Sequence, residues 1–506
     1  MSRAPEISGP WGARASLADA GHAVVVGGSM AGLLAARVLA NHFEQVTLVE
    51  RDALTDSAQT RKGVPQGHQL HVLLPRGRGI VERLFPGYGH ELEAAGAVSV
   101  RVPTDALILN PAGWLDRRAT GWPLLSASRP LFEWGVRRRL RELPGVTIRD
   151  RHDVTSLRTS RDGRQVTGVT LRPLDDPAGG HQQLDADLVV DASGRGSRAP
   201  AWLADAGYAT PAKTHVDPNI AYASRIYRIP DGFSADWQLV MLLSRPPSIP
   251  RTGSLFPIED GQWMVTLMGA AGQHPPTDED GFAAFTRSLR HPVIADVLAA
   301  AEPVTLIRGH RGTANRLWHY ERMRRWPERF VVLGDAVCAF NPIYGQGMST
   351  AAVAAETLDA CLGEQRRRWS AENLEGLAGR FQRRLARRNA DPWMLSTGED
   401  LRYPTTTGVR VTAVMRLQHR YLDRVAAAAT RDPATADTLA QVAAMLARPT
   451  SLFFPRIMVA AVRARPNGKS APLNSALPAA RACPQRINGS PGQKRSSQRR
   501  GPHDSR

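Results

Sequence analysis

Residues 23–32 have the sequence Ala-Val-Val-Val-Gly-Gly-Ser-Met-Ala-Gly, and this stretch decides the fold of the chain. Its first four residues form a continuous apolar run, which is typical of a parallel strand buried on both faces of a sheet. Gly27 then permits a tight turn, and Gly32 permits a following helix to pack closely against the strand. Because the N-terminus of such a helix presents unpaired N–H groups to a pyrophosphate, the stretch predicts a nucleotide-binding unit.

The turn departs from the usual G-x-G-x-x-G pattern at one position and is followed by a suitably spaced carboxylate. Ser29 replaces the middle glycine and is still small enough to let the backbone approach a phosphate. A second apolar run, residues 46–49, ends at Glu50, 18 residues after Gly32. A carboxylate there can accept hydrogen bonds from ribose hydroxyls. A glycine-rich turn beside an unrelated surface glutamate is the weaker interpretation. The candidate nucleotide-binding residues of this unit are Gly27, Gly28, Ser29, Met30, Ala31, Gly32, Glu50 and Arg51.

Two further apolar runs, residues 188–190 and 331–333, also lead into glycine-containing turns. Ligands of parallel sheets bind at these carboxyl ends, so distant segments are expected to form one site. After the last run, Asp335 can bind polyol hydroxyls, and a helix that begins near Ser349 favours negative charge at its N-terminus. These features match the ribityl chain and the N1–O2 edge of a reduced flavin. NAD has neither group, so the sequence favours FAD.

Together these motifs resemble the three fingerprints of the class A flavoprotein monooxygenases, the relatives of para-hydroxybenzoate hydroxylase and squalene epoxidase. The resemblance covers residues 23–362, and its fingerprints are residues 27–32 with Glu50, residues 191–198 and residues 334–348. Further segments resemble the actinobacterial FAD-dependent epoxidases and hydroxylases of natural-product pathways, including polyether epoxidases. These segments are residues 61–66 with His68 and His71, residues 338–342, and residues 392–393 with residues 397–402.

The resemblance implies a set of cofactor contacts. It implies that Asp335 binds the ribityl chain, and it places Arg61 and Arg129 near the pyrophosphate and ribose. The segment that begins at Asp191 is linked in the family to both FAD and NAD(P)H, but its Ser-Gly-Arg-Gly version leaves the choice between NADH and NADPH open. At the pyrimidine edge of the flavin the resemblance places Gly345, Gly347 and Met348, and the other cofactor residues it suggests are Gln66, Gly334 and Pro342.

No acid–base pair is assigned, because in this family the flavin carries the reaction through a C4a-hydroperoxide and the protein orients the reactants. His68 and His71 are weak catalytic candidates that would share one face of a helix near the flavin. Such histidines are more often structural hydrogen-bonding residues. Cys338 lies beside residues 341–348, which are called the flavin loop below. A small buried residue is favoured there over a covalent flavin link, so FAD is expected to bind non-covalently.

From Tyr222 to Met268 polar and apolar residues alternate in runs separated by turn residues, which predicts an antiparallel sheet with one face on a core or cavity. On residues 262–268, Trp263, Val265 and Leu267 share one face, and they are the weak candidates for contact with a lipophilic substrate. Met264, Thr266 and Met268 share the other face. A carboxylate-bearing aromatic substrate is the alternative, and it would need a positioned cation such as Arg225 or Arg228.

The predicted fold is therefore α/β: a Rossmann-like FAD-binding domain with a parallel sheet and helices, an antiparallel-sheet substrate domain, and C-terminal helices. The FAD-binding domain is discontinuous and covers residues 22–84, 126–210 and 305–365. The substrate domain covers residues 85–125 and 211–304, and a helical region covers residues 366–465. Residues 1–21 are expected to be a flexible segment and residues 466–506 a disordered basic tail.

Composition excludes several other classes of protein. The net charge is +18, but 61 of the 65 basic residues are arginine and +7 of the charge lies in residues 466–506, a distribution that does not favour nucleic-acid binding. The three cysteines show no disulfide or metal-binding spacing. No apolar stretch is long enough for a membrane span and no secretory signal is present, so a cytoplasmic protein is expected. Residues 451–463 mix apolar and basic residues, and a helix packed on the domain is favoured over membrane docking.

The leading hypothesis is an NAD(P)H- and O2-dependent monooxygenase that epoxidises or hydroxylates a lipophilic natural-product intermediate. A flavin-dependent reductase or saturase on the same fold is the first alternative, and a non-catalytic flavin-binding protein is the second. The tryptophan-containing signature of flavin-dependent tryptophan halogenases is absent from the chain, which counts against halogenation. The oligomeric state and the substrate itself are left open.

Overall fold

The computed structural model describes residues 21–117, 121–176, 180–368 and 373–464. The predictions of a flexible segment at residues 1–21 and of a disordered tail at residues 466–506 fall outside these described residues, apart from Gly21. The strands are, in chain order, β1 (His22–Val26), β2 (Gln45–Val49), β3 (Val98–Val102), β4 (Ala106–Asn110), β5 (Gly113–Trp114), β6 (Trp122–Ser126), β7 (Val146–Arg149), β8 (His152–Thr159), β9 (Val166–Pro173), β10 (Gln182–Asp185), β11 (Leu188–Asp191), β12 (Lys213–Val216), β13 (Ala221–Arg228), β14 (Leu239–Leu242), β15 (Arg251–Ile258), β16 (Gln262–Gly269), β17 (Glu302–Pro303), β18 (Arg308–His310), β19 (Asn315–Trp318), β20 (Phe330–Val332) and β21 (Cys338–Ala339).

The helices of the same residues are α1 (Met30–Leu39), α2 (Pro75–Leu84), α3 (Tyr88–Ala94), α4 (Arg129–Arg141), α5 (Ala199–Asp205), α6 (Glu279–Arg287), α7 (Val293–Leu298), α8 (Gly347–Arg368), α9 (Leu377–Asp400), α10 (Ala413–Ala429), α11 (Pro433–Ala443) and α12 (Pro455–Arg463). None of these helices combines the length and the apolar composition that crossing a membrane requires.

A five-stranded sheet holds the nucleotide-binding motifs. Its strand order is β20-β11-β1-β2-β7, and every neighbouring pair is parallel. The four apolar runs identified in the sequence are β1, β2, β11 and β20, and their central residues are fully buried because helices cover the sheet. In the register, Val26 pairs with Asp191 and Asp191 pairs with Val332, so three glycine-containing turns meet at one edge.

The predicted antiparallel sheet is also present. Strands β13, β16 and β15 pair antiparallel, and β16 follows β15 through a turn in which Asp260 and Gly261 both have positive φ. The full sheet has eight strands, and it includes one parallel pair, β14 with β4. Helices α9 to α12 form the C-terminal part of the described chain, so the predicted fold class is confirmed. The domain boundaries stay a prediction.

Candidate functional site

The glycine-rich turn brings the end of β1 very close to the start of α1. Gly27 has φ 101°, a conformation that favours glycine, and its N–H donates to the Val49 carbonyl at 2.8 Å. A Cβ atom added at Gly32 would lie 1.7 Å from the Gly27 carbonyl oxygen. The close approach for which the sequence pattern requires Gly32 therefore occurs between these two backbone segments.

Glu50 lies beside this turn, at the carboxyl end of β2. Its Oε2 accepts a hydrogen bond from the Gly28 N–H at 2.6 Å, and its Oε1 accepts one from the Asp52 N–H at 2.9 Å. The residue is almost fully buried. The carboxylate proposed to bind a ribose is thus held next to the phosphate-binding turn. Arg51 follows it on the exposed surface.

A buried ionic cluster covers the same turn. Arg129 is the first residue of α4, whose N-cap Ser128 accepts a hydrogen bond from the Leu131 N–H. The Arg129 guanidinium donates to Ser29 Oγ at 2.7 Å and lies 2.8 Å from Glu133 Oε2. Arg61 donates to Glu133 Oε1 at 2.8 Å. Two arginines that the sequence analysis placed near a pyrophosphate therefore meet at the glycine-rich turn.

The hydrogen-bonding pattern of this cluster fits a diphosphate. Arg61 Nη2 and Arg129 Nη1 are buried and have no hydrogen-bond partner among the described residues. Buried donors of this kind are costly unless an acceptor is supplied, and phosphate oxygens accept readily from guanidinium groups. The residues present therefore fit the pyrophosphate of FAD.

Glu133 holds both guanidinium groups and was missed by the sequence analysis. Burial alone would raise the pKa of its carboxyl, but the neighbouring charges of Arg129 and Arg61 outweigh that effect and lower the pKa. The carboxylate is therefore ionised at neutral pH and orients the two cations. Its position one helical turn after Arg129 is the only sequence signal that could have indicated this role.

The second part of the site lies at the end of β20. Gly334 has φ 63°, and an added Cβ would lie 2.7 Å from the Ala31 side chain, so Asp335 is brought beside the start of α1. Burial raises the pKa of Asp335, whereas the nearby Arg195 and Arg316 act to lower it. Its carboxylate lies 3.9 Å from Arg195 Nε. This position fits the predicted contact with a ribityl chain.

The loop after Asp335 provides room for the flavin edge. Pro342 begins a short 3-10 turn that ends at Gly345, whose φ is 63°. Gly347 begins α8, is exposed, and has no atom within 4 Å of an added Cβ, whereas Met348 is buried. The open space at Gly347 therefore lies at a helix N-terminus, where negative charge on a flavin is favoured.

A buried carboxylate from the C-terminal helices supports this loop, and the sequence analysis did not nominate it as a site residue. Asp400, at the end of α9, is fully buried and accepts hydrogen bonds from Asn315 Nδ2 at 2.5 Å, Asn341 Nδ2 at 2.9 Å and the Tyr344 hydroxyl at 2.7 Å. The Tyr222 hydroxyl of β13 donates to Asn341 Oδ1 at 2.8 Å. The network therefore joins α9, the flavin loop and the antiparallel sheet.

Asp191, a predicted cofactor residue, makes its side-chain hydrogen bonds within its own loop. It is fully buried at the end of β11, and its two carboxylate oxygens accept hydrogen bonds from the hydroxyls of Ser193 and Ser197, each at 2.5 Å. Burial raises the pKa of Asp191, and these hydrogen bonds oppose the rise. These hydrogen bonds hold the turn that follows β11, and contact between Asp191 and the cofactor stays a prediction.

His68 and His71 do not share a helix face. His68 ends the 3-10 turn Pro65–His68, which also contains the half-buried Gln66, and His71 follows in non-helical chain. Burial and the nearby Arg129 lower the pKa of His71 to about 3. Its imidazole is therefore neutral at physiological pH. Its Nδ1 lies 2.9 Å from the Gln69 carbonyl oxygen, which orients the ring.

The orientation of β16 corrects the predicted substrate face. Trp263, Val265 and Leu267 pack in a core with residues of α6 and α7, so their side chains point away from the flavin-side segments. The opposite face carries Met264, Thr266 and Met268. Thr266 Oγ1 accepts a hydrogen bond from the Leu70 N–H at 3.3 Å, and Met268 packs in a cluster that includes Ile343 of the flavin loop. This second face is the one that looks toward the candidate site.

A cleft of about 710 Å³ opens at the edge of this sheet. It is lined by Tyr222 and Ile307 on the side of the sheet, by residues 274–278, and by Arg308, His310 and Arg311. Burial and the nearby Arg195 lower the pKa of His310, so its imidazole is neutral at physiological pH. Since Tyr222 also bonds to Asn341, the cleft wall is continuous with the flavin loop. The cleft therefore provides access from solvent toward the candidate site.

Comparisons with known proteins agree with this geometry. A family model described as FAD binding domain matches residues 21–375. "Protein Rv3254" of Mycobacterium tuberculosis is 36% identical over 430 residues, which cover 82% of this chain and 88% of that protein. The anhydrotetracycline hydroxylase OxyS of Streptomyces rimosus has a TM-score of 0.56 at 17% identity and covers 85% of this chain and 76% of its own. The myxobacterial chondrochloren halogenase CndH has a TM-score of 0.57 at 17% identity, and the match covers 85% of this chain and 98% of the halogenase chain. At these identities the two structures show a shared fold.

Proposed function

Because this chain belongs to the FAD-binding domain family and is a flavin-dependent oxidoreductase, we propose that it is a monooxygenase that uses NAD(P)H and O2 to epoxidise or hydroxylate a lipophilic natural-product intermediate. The family and the fold confirm the resemblance to class A flavoproteins that the sequence analysis identified. When bound, FAD supplies the redox chemistry, in which it accepts a hydride and activates oxygen. The protein's own residues bind and orient the reactants and exclude water.

The observation that best supports a lipophilic substrate is that the two arginines on β13 are already paired with glutamates. Arg225 donates to Glu279 at 2.5 Å and to the Thr305 carbonyl at 2.8 Å. Arg228 is exposed and pairs with Glu302 at 3.1 Å. Both candidates for binding a substrate carboxylate are therefore engaged elsewhere. The flavin-facing residues Met264 and Met268 offer apolar contacts instead.

The remaining residues of the site have consistent roles under this proposal. The neutral imidazole of His71 adds no further positive charge beside Arg129 while still offering a hydrogen bond. The N-terminus of α8 and the open space at Gly347 receive the flavin edge, and Asp335 binds the ribityl hydroxyls. The cleft beside Tyr222 gives the electron donor or the substrate a route to the ring.

The test is an assay of NAD(P)H oxidation by the FAD-loaded protein against polyenes, terpenoids and small aromatic acids. We expect polyenes or terpenoids to stimulate oxidation and to acquire one oxygen atom from isotopically labelled O2. Product reduced at a double bond, without labelled oxygen, would identify a reductase or saturase. Product formed only with added bromide or chloride would identify a halogenase, and stimulation by aromatic acids alone would overturn the lipophilic assignment.

Asp335→Ala is expected to weaken FAD binding by about ten- to a hundredfold, because it removes a charge-assisted hydrogen bond to the ribityl chain. The dissociation constant can be measured by the quenching of flavin fluorescence on titration of the apoprotein. Asp187→Ala is a matched control, since Asp187 is a carboxylate near β11 that pairs with Arg329 at 3.4 Å, away from Asp335. An unchanged constant for Asp335→Ala would show that this carboxylate does not touch the cofactor.

A further inference from the structure

We propose that the C-terminal surface around α12 docks reversibly on a membrane that contains anionic lipids. The surface consists of Phe454, Met458 and Val462, with Phe453 and Val459 beside them, and is called the apolar stripe below. This inference does not depend on the reaction that the flavin site performs. For an enzyme with a lipophilic substrate, such docking would bring the site to the phase in which the substrate accumulates.

The apolar stripe is the exposed side of a helix whose other side is already packed. Ile457 and Ala461 are buried in a small core together with Val425 of α10 and Leu452. Phe454, Met458 and Val462 follow one another at intervals of four residues, so they lie on one face of the helix. Their exposed fractions are 60%, 46% and 70%. An ordinary amphipathic helix would carry polar residues at these positions.

The neighbouring aromatic residues extend the apolar stripe. Phe453 is 46% exposed and stacks on Tyr421 of α10, with ring centroids 4.9 Å apart. Val459 is 48% exposed. A contiguous exposed apolar surface rimmed by charged residues marks an interaction site in soluble proteins. An amphipathic helix with exposed aromatic and aliphatic residues beside arginines can lie in the interface of a membrane with its apolar face inserted.

The charges around the apolar stripe indicate that its binding partner is anionic. From Arg448 to Ala464 the chain has three arginines and no carboxylate. Arg463 makes no ion pair within the described part of the chain, and Arg448 lies 3.5 Å from Asp391. Arg456 lies near enough to Asp432 to lower the pKa of that carboxyl without forming a direct ion pair with it. In the sequence that follows, residues 465–506 contribute nine basic residues and one acidic residue. A surface that is apolar and positive fits an anionic lipid headgroup layer.

The same charges disfavour the other occupants. A second copy of the chain would bring an equally positive surface to the apolar stripe, and like charges oppose that contact. The chain's own residues 466–506 contain only three large aliphatic residues, Leu473, Leu477 and Ile487, which is too few to cover five exposed apolar side chains. An anionic lipid layer satisfies both the apolar residues and the arginines.

The test measures partition of the full-length, FAD-loaded protein onto vesicles by sedimentation. We expect binding to phosphatidylcholine vesicles that contain phosphatidylglycerol and much weaker binding to phosphatidylcholine alone. The triple variant Phe454→Ser, Met458→Ser, Val462→Ser should bind the anionic vesicles at least about tenfold more weakly, because it removes the inserted apolar area. Arg456→Gln with Arg463→Gln should reduce binding by about fivefold for each arginine, and added salt should act in the same direction.

Two control proteins make the test specific. Val414→Ser with Leu417→Ser removes apolar residues of α10 that are 64% and 66% exposed but lie outside the apolar stripe, and vesicle binding should be unchanged. Removal of residues 466–506 should lower binding to anionic vesicles while leaving FAD bound and the effect of the triple variant intact. Failure of the wild-type protein to bind anionic vesicles, or equal binding by the triple variant, would overturn the proposal. A concentration-dependent dimer that the triple variant abolishes would assign the surface to a second copy instead.

Discussion

Gly32→Ala is expected to abolish FAD retention and to destabilise the protein by at least about 3 kcal/mol. The added Cβ would lie 1.7 Å from the Gly27 carbonyl oxygen, and neither backbone segment can move freely. Gly27 is itself fixed because an atom added there would meet the Ala192 backbone at 2.7 Å. Helix α1 must therefore move away from the turn, and its N-terminal N–H groups would then no longer face the pyrophosphate.

Flavin content after purification and the free energy of unfolding in urea measure the effect. Gly363→Ala is the matched control, because Gly363 lies within α8 and its added Cβ would meet only the end of the Arg367 side chain at 3.6 Å. Alanine is favoured over glycine in a helix interior, so this control should be neutral or stabilising by up to about 1 kcal/mol. Normal flavin content in Gly32→Ala would mean that the turn does not hold the cofactor.

Asp400→Asn is expected to weaken FAD binding by about tenfold or more, although Asp400 is a positioning residue that does not touch the flavin. Even when protonated, Asp400 keeps acceptor capacity on both of its oxygens, whereas the new amide has one acceptor oxygen and two N–H donors. One of these N–H groups would therefore face a donor from Asn315, Asn341 or Tyr344. An unsatisfied buried donor costs about 1–3 kcal/mol, and part of that cost would be relieved by displacement of the flavin loop. The effect is measured as loss of bound FAD from the Asp400→Asn protein at a concentration at which the wild-type protein keeps its FAD.

The pH dependence of stability gives an independent measure of the same residue. Burial raises the pKa of Asp400 to about 7, and hydrogen bonds from Tyr344, Asn315 and Asn341 limit the rise. Between about pH 4 and 7 the folded protein thus holds a proton that the unfolded chain has lost. Protonated Asp400 therefore stabilises the folded state at low pH. This stabilisation, on the order of 4 kcal/mol in the free energy of unfolding, is lost as the pH rises from about 4 to about 7. Asp400→Asn lacks this dependence, so its destabilisation relative to wild-type should be larger at pH 5 than at pH 8.

Two further variants separate positioning from a general loss of structure. Glu399→Gln alters the adjacent carboxylate, whose half-exposed side chain pairs at 2.8 Å with the largely buried Arg402. It should change stability by no more than about 1 kcal/mol, because Arg402 keeps its ion pair with Asp423 at 2.7 Å. The double variant Asn341→Asp with Asp400→Asn exchanges acceptor and donor across the network and should restore part of the FAD affinity. Asp400 does not position the flavin loop if the double variant recovers no FAD affinity and the free energy of unfolding of Asp400→Asn depends on pH as that of the wild-type protein does.

The sequence alone predicted the parallel sheet and the order of its motifs because these depend on local requirements. A tight turn after a buried strand needs Gly27, and a close helix needs Gly32, so the residue types reveal the geometry. The end of each apolar run marks the edge at which Glu50 and Asp335 lie. The pairing of Arg61 and Arg129 near the turn followed from resemblance to a family and not from spacing.

The hydrogen-bond and packing partners of these residues depend on how distant segments of the chain pack together. Alternation along β16 separates Trp263 from Met264, but α6 and α7 determine that the Trp263 face is the core and the Met264 face looks toward the flavin loop. Glu133 and Asp400 act through hydrogen bonds to residues distant in sequence, such as Asn341, which lies 59 residues from Asp400. Asp191, which the family resemblance links to the cofactor, also accepts hydrogen bonds from Ser193 and Ser197 of its own loop. Local conformation is encoded by neighbouring residues, whereas the partner of a buried polar group is fixed only when separate segments pack together.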